Sequence, residues 1–308
     1  MSTAFRITQR SVSTTMLQGL QANQGKLQKI QEQLSSGKQI SRPSDSPVKT
    51  VETMQFRSEL RRTEQHIRNA DDGLGLLATA DTVLTGSLDM TRRVRDLTLQ
   101  AINGSVNAVG REAIAAEIDT IREGLVGVAN LRYLDRPVFG GTTAGTAAYS
   151  ARTASDPGTG PGEVYRGDAG VITRTVAAGT EVEVNMTGPQ VFGSGDTQLF
   201  TVLANLSKTL RGPESGLGAL DGAIDQLDGA TNRIISALGT IGARTNRMET
   251  MLTRAKDSLI SLTNNLNEVE SIDLPRTIVD LQMQEVAYKA ALGATARVVQ
   301  PSLLDFLR

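Results

Sequence analysis

The sequence predicts a mainly α-helical protein. Its N- and C-terminal arms form a long antiparallel coiled-coil or helical bundle, and a small Gly-rich, β-rich α+β domain is inserted between them. Three observations carry this expectation. Apolar residues recur at helical spacing through both ends of the 308-residue chain. Half of its 30 glycines lie between Gly140 and Gly218, with Pro157, Pro161, Pro189 and Pro213. Aromatic residues make up only 3% of the chain, and most of them fall between Tyr133 and Phe200. The arms must therefore bury narrow aliphatic seams, and only the insert has the rings of an ordinary core.

The first arm opens on a heptad stretch. Met16, Asn23 and Ile30 hold one position, and Leu20, Leu27 and Leu34 hold the other. A 3.5-residue period places all six on one stripe of a helix. Gly37 is the expected stop, and Pro43 and Pro47 break the chain that follows. Ser46 is placed to cap a long helix beginning at Pro47. That helix should run to about Asn103, with Ile67, Ala70, Leu74, Leu77, Leu84 and Leu88 on its seam, drifting to Val94, Leu97 and Ala101. A shorter helix is expected over 111–132, with Ile114, Ile118, Ile121, Leu125 and Val128 on one face.

The insert alternates like a strand. Val182, Val184 and Met186 face one way, and Glu181, Glu183 and Asn185 the other. Residues 171–176 form a second candidate strand, and Leu199 to Leu210 read as an amphipathic helix. The second arm holds Leu220, Leu227, Ile234, Ile241, Met248, Ala255, Leu262 and Val269 on one heptad position. Ile224, Thr231, Leu238, Thr245, Leu252, Leu259 and Leu266 hold the other. This is the signature of a coiled-coil helix, weakened locally at the two threonines. Pro275 interrupts it. A last amphipathic segment carries Leu274, Ile278, Leu281, Tyr288, Leu292 and Val299, and an apolar tail follows with Leu303, Leu304, Phe306 and Leu307.

Composition excludes several kinds of chemistry. With no cysteine there is no thiolate metal site, iron–sulfur cluster or cysteine nucleophile. One histidine, His66, disfavours most metal sites. A net charge of -1 gives no basic excess for nucleic acid, and no apolar run reaches the ~20 residues of a membrane span. The first residues lack a signal-peptide core, so a leader that is not cleaved is expected if the chain is exported.

Local motifs add no catalysis. Gly19 to Lys26 fails the phosphate-loop spacing, and Leu27 stands where Ser or Thr should bind magnesium. Asp221, Asp225 and Asp228 lack calcium-loop spacing. Arg166-Gly167-Asp168 matches an adhesion tripeptide too short to carry weight. Asp71 and Asp72 diverge by roughly 100° on a helix, so they cannot act as one carboxylate pair. No catalytic, cofactor or metal residues are assigned, and the expectation is a non-enzyme. The terminal stripes, Met16 to Leu34 and Leu274 to Val299, can pair. A two-helix tip is thin, however, and should keep an apolar flank for a neighbouring subunit.

Specific motifs then carry a family resemblance. Leu34-Ser-Ser-Gly-Lys-Gln-Ile40, Arg42-Pro-Ser-Asp-Ser-Pro47, Arg68-Asn-Ala-Asp-Asp-Gly-Leu74 and Arg93-Val-Arg-Asp-Leu97 resemble the N-terminal region of bacterial flagellins. Gly242-Ala-Arg-Thr-Asn-Arg-Met248 resembles the matching C-terminal region. Within this superfamily, Pro43, Ser44, Asp45 and Pro47 are similar to the Pro-Ser-Asp-Asp-Pro motif of the FlgL-type hook-associated branch, with Ser46 departing. Phe139-Gly-Gly-Thr142, Val191-Phe-Gly193 and the ending Ser302 to Leu307 are similar to the same branch.

The resemblance implies a structural subunit between flagellar hook and filament. It also implies a division into 1–42 as an N-terminal tube-lining helix, 43–136 as bundle, 137–216 as outer insert, 217–273 as the returning bundle helix and 274–308 as the C-terminal tube-lining helix. The implied partners are a homo-oligomeric ring, a FlgK-type junction protein, flagellin filament subunits, the type III export apparatus and a FlgN-type chaperone. Filament flagellin is the nearest alternative, and a signalling coiled-coil hairpin is a more distant one.

Overall fold

The computed structural model describes residues 9–102, 106–145, 147–153, 156, 162–213 and 219–299. The chain divides into two compact units. One is Thr63–Ser258, and the other joins Met1–Arg62 with Leu259–Arg308.

Two terminal segments build the second of these units, here called the terminal unit. Helix α1 spans Gln9–Ser36 and α7 spans Leu274–Val299. Helix α2 (Pro47–Ile102) begins in this unit, and α6 (Ala219–Glu270) ends in it. Gly37 stops α1 at φ +69, and its N–H bonds Gln33 O at 2.8 Å. A left-handed cap of this kind is cheap only for glycine. Pro47 is the first residue of α2, where its missing N–H costs nothing. The Thr50 N–H closes the first turn on Ser46 O at 2.9 Å. Asp273 caps α7 by accepting the Arg276 N–H at 3.1 Å.

In the larger unit, α2 buries Ala70, Leu77, Leu84, Leu88, Val94, Leu97 and Ala101, the seam read from the sequence. α6 buries Leu220, Leu227, Ile234, Ile241 and Met248 against it. The two helices run antiparallel. Met248 reaches Gly73, and Arg95 Nε donates to Asp228 Oδ1 at 2.6 Å. The expected helix end at Asn103 and Gly104 lies outside the described residues.

The next helix differs from expectation at both ends. Helix α3 spans Ala108–Ala129, and the Asn107 side chain caps it by accepting the Gly110 N–H at 2.8 Å. It stops short of Arg132 because β1 (Arg132–Tyr133) and β2 (Arg136–Pro137) form a hairpin there. The turn residues Leu134 and Asp135 have φ 45° and 66°. Positive φ at both positions is the two-residue turn that usually takes Asn-Gly.

The insert contains two more hairpins, β3 (Tyr149–Ala151) with β4 (Glu163–Tyr165), and β5 (Thr173–Ala177) with β6 (Thr180–Glu183). Helices α4 (Gly188–Phe192) and α5 (Leu199–Leu210) follow. Phe139, Tyr149, Phe192 and Phe200 meet with ring centroids 4.8–5.9 Å apart. This is the ring-based core that the composition of the segment predicts. Val182 and Val184 point inward as expected, but Asn185 does not face solvent with the glutamates. It is buried, donates Nδ2 to Gly170 O at 2.9 Å and accepts the Ile172 N–H at 2.8 Å. Both bonds satisfy a polar group that alternation alone assigns to the outside.

Candidate subunit interface

α1 and α7 pack along their lengths, and the pairing is antiparallel. Near one end, the Ile272 N–H donates to Gly37 O at 3.2 Å. Further along, Gln284 Nε2 donates to Asn23 O at 3.1 Å and to Asn23 Oδ1 at 3.3 Å. Met16, Leu20, Leu27, Ile30 and Leu34 are all half-buried on the stripe the sequence defines. Asn23 occupies the same stripe, so the seam has a polar layer. Its partner must sit opposite, and that fixes the register.

The α7 stripe is displaced from expectation. Leu281 and Tyr288 are half-buried, together with Thr277, Gln284, Ala291 and Thr295. Leu274, Ile278 and Leu292 are exposed, at 53%, 39% and 42%. The side chain of Val299 lies outside the described residues, as do Leu303, Leu304, Phe306 and Leu307. A second apolar row, Val279, Met283 and Val286, stands in solvent. At 100° per residue these three lie roughly opposite the row holding Leu281 and Tyr288. α7 is therefore apolar on two sides, and α1 covers one of them. On α2, Val48, Val51 and Met54 are exposed as well.

The loop between α1 and α2 is tied down by charge. Asp45 accepts Lys29 Nζ at 2.9 Å and the Arg42 and Ser41 N–H groups at 3.0 and 3.3 Å. The lysine bond, followed by the backbone bonds, holds its carboxyl below the usual range. Within the Pro43-Ser44-Asp45-Ser46-Pro47 motif, Asp45 thus closes the loop and Pro47 starts the helix. Pro43 and Ser44 are exposed.

Glu270 is the pivot of this region, and sequence reasoning missed it. It is nearly buried, and its Oε1 accepts Arg57 at 2.6 Å and also Lys38 Nζ. Its carbonyl accepts the Gln39 N–H at 2.7 Å. Burial by itself would raise its carboxyl, but the bonds from Lys38 and Arg57 outweigh it and the net direction is downward. A cavity of about 520 Å³ lies beside this cluster, lined by Ile40, Arg42, Pro43, Thr53 and Met54 among others.

The motifs set aside on spacing have structural work elsewhere. Arg166 is held by both oxygens of Asp156 at 2.6 Å, while Asp168 accepts the Thr142 and Gly170 N–H groups. Both charges of that tripeptide are engaged within the chain, although both residues are exposed. Asp72 pairs with Arg174 at 2.8 Å, and Asp228 with Arg95. His66 Nδ1 lies 3.2 Å from Thr175 O, so it braces the β5–β6 hairpin.

The signature of the bacterial flagellin N-terminal helical region matches residues 7–134. Flagellar hook-associated protein 3 of Escherichia coli (strain K12) is 22% identical over 300 residues, covering 90% of this chain and 92% of that protein.

The N-terminal part of this chain is a flagellin-type helical region.

Similarity to flagellin-superfamily members extends across the chain. Flagellin of Bacillus subtilis (strain 168) is 24% identical over 315 residues, covering 99% of this chain and 100% of that protein. The crystal structure of flagellar hook-associated protein 3 from Legionella pneumophila superposes with a TM-score of 0.63 at 15% identity. It covers 70% of this chain and 98% of its own. Among the described residues, no helix is long and apolar enough to cross a membrane.

Proposed function

We propose that this chain is the structural subunit that joins the hook to the filament of the bacterial flagellum and acts without enzymatic chemistry. Its likeness to hook-associated protein 3 over nine-tenths of its length carries this reading. The two-sided α7 supplies the mechanism. One side is satisfied by α1 in the same chain, and the other, with Val279, Met283 and Val286, is free for a neighbour. Fully burying such a side chain contributes roughly 1.5–3 kcal/mol, so a few per subunit drive ring closure.

In this reading the terminal helices, 1–42 and 274–308, line the inner tube. Segments 43–136 and 217–273 form the surrounding bundle, and 137–216 faces outward. The subunit forms a homo-oligomeric ring, sits on a FlgK-type junction protein and receives flagellin filament subunits. A FlgN-type chaperone holds it before passage through the type III export apparatus, without leader cleavage, and its working location is extracellular. It binds neither nucleic acid nor membrane.

The test separates the two faces of α7. Val279→Asp and Val286→Asp should block incorporation into flagella while leaving helix content unchanged, whereas Leu281→Asp should also loosen α1. Normal filament attachment with Val279→Asp and Val286→Asp together would sink this reading. Filament flagellin remains the second reading, favoured by the end-to-end similarity to the Bacillus subtilis protein. Deleting the gene decides between them. Loss of a junction subunit releases flagellin into the medium, and loss of flagellin leaves nothing to release.

A further inference from the structure

The larger unit displays an apolar knob and an apolar groove at different places on its surface. The knob is Leu134, 74% exposed at the tip of the β1–β2 hairpin, with φ +45. A bulky residue in the left-handed region is strained, and this one leaves most of its side chain in solvent. The groove, about 450 Å³, runs between α2 and the end of α3. Its walls are Ala78, Thr82, Val83 and Gly86 on one side and Val128 and Leu131 on the other. Gly86 keeps the floor low, with nothing within 4 Å of the place a Cβ would take.

Charge complements the shapes. Leu134 lies between Arg132 and Arg136 in sequence, and Arg136 is exposed. On α2, Asp71, Asp81 and Asp89 are exposed, and Asp89 also pairs with Arg92 of the same helix. Asp71, Ala78, Thr82 and Asp89 fall on one helical stripe, so acids stand beyond both ends of the apolar wall.

We propose that Leu134 of one copy seats in the α2–α3 groove of a second copy, with Arg136 reaching that copy's acidic rim. The proposal rests on the reading that the chain assembles with itself. Knob and groove are complementary rather than identical, so repeated head to tail the contact passes from copy to copy. The strained turn holds the leucine outward for that contact.

The absence of native cysteine makes the test clean. Two tagged full-length variants, Asp135→Cys and Thr82→Cys, are co-expressed in cells lacking the native gene, and isolated flagella are oxidised. The expected product is a heterodimer of the two tags. Adding Leu134→Asn to the Asp135→Cys chain tolerates the turn but removes the knob, and it should cut the yield roughly 10–100-fold. Both variants present in flagella without the heterodimer, or with only Asp135→Cys homodimers, overturns the contact and leaves the assembly reading intact. A heterodimer yield unchanged by Leu134→Asn also overturns it. Absence of the full chain from flagella defeats the assembly reading, and this contact with it.

Discussion

Arg57 donates to Glu270 Oε1 at 2.6 Å, joining residues 213 positions apart in the chain. Lys38 shares the same oxygen, so one nearly buried carboxylate holds the start of α2, the loop after α1 and the end of α6. Glu270→Ala should lower the stability of the terminal unit by about 1–2 kcal/mol, discounted because both cations are half-exposed. Amide exchange at residues 37–45 and 270–272 should accelerate, with residues 70–100 unaffected.

Acid should act through the same group. The folded value of Glu270 lies below its ordinary 4.5, and that of Asp45 below 3.8. A depressed carboxyl binds fewer protons folded than unfolded. Its contribution is complete above the ordinary value and lost as pH falls through the folded one. Protection of residues 37–45 should hold steady from about pH 8 to 5 and fall below about pH 4. Loosening on moving from pH 7 to 8 would contradict the assignment.

Asn23 facing Gln284 exchanges stability for register. Asn23→Leu should stabilise the α1–α7 pair by about 1 kcal/mol, since the site is half-buried. It should also relax the pairing, because leucine fits several heights on the seam. Disulfide mapping between single cysteines along α1 and α7 should give one register in the parent chain and more than one in the variant.

How much of this was legible in sequence depends on how local the cause is. Gly37, Pro47 and the limits of α5 were readable because caps and helix breakers act within a turn. The bundle seams were readable because one buried face repeats for tens of residues. The α7 face was misplaced for the opposite reason. Leu281 and Tyr288 lie in the half-buried row, but the rest of that row is Thr277, Gln284, Ala291 and Thr295, so the apolar residues Leu274, Ile278 and Leu292 mark a face rotated from the one that packs. Glu270 gave no signal, since its partners are distant in sequence. Asn185 was misplaced because alternation knows nothing of its two bonds.

The turn at Leu134 should be an internal source of instability. A left-handed conformation costs a non-glycine residue roughly 1–2 kcal/mol. Leu134→Asn should therefore raise the stability of the larger unit within the unassembled full chain by about 1 kcal/mol, or roughly 2–4 °C in Tm. Calorimetry on the full chain checks this, and a lower Tm would show that the leucine packs in its own chain.

Gly188 begins α4 against the aromatic cluster. A Cβ there would lie 2.4 Å from the Tyr149 hydroxyl oxygen and 2.8 Å from the Tyr165 ring. Gly188→Ala should cost about 1–3 kcal/mol by overpacking. Near-ultraviolet circular dichroism of the tyrosines should change, and helix content should not.

The terminal unit is assembled from the two ends of one chain, and this governs the order of events at the ribosome. α1 is translated long before its partner α7. Asn23 waits for Gln284 across 261 intervening steps, a closure costing roughly 5 kcal/mol in chain entropy. Residues 63–258 complete their own core earlier, and by bringing Gly73 to Met248 they shorten the remaining gap. The nascent chain thus finishes its middle while its first helix still lacks its counterpart. The arrival of α7 decides when α1 becomes packed.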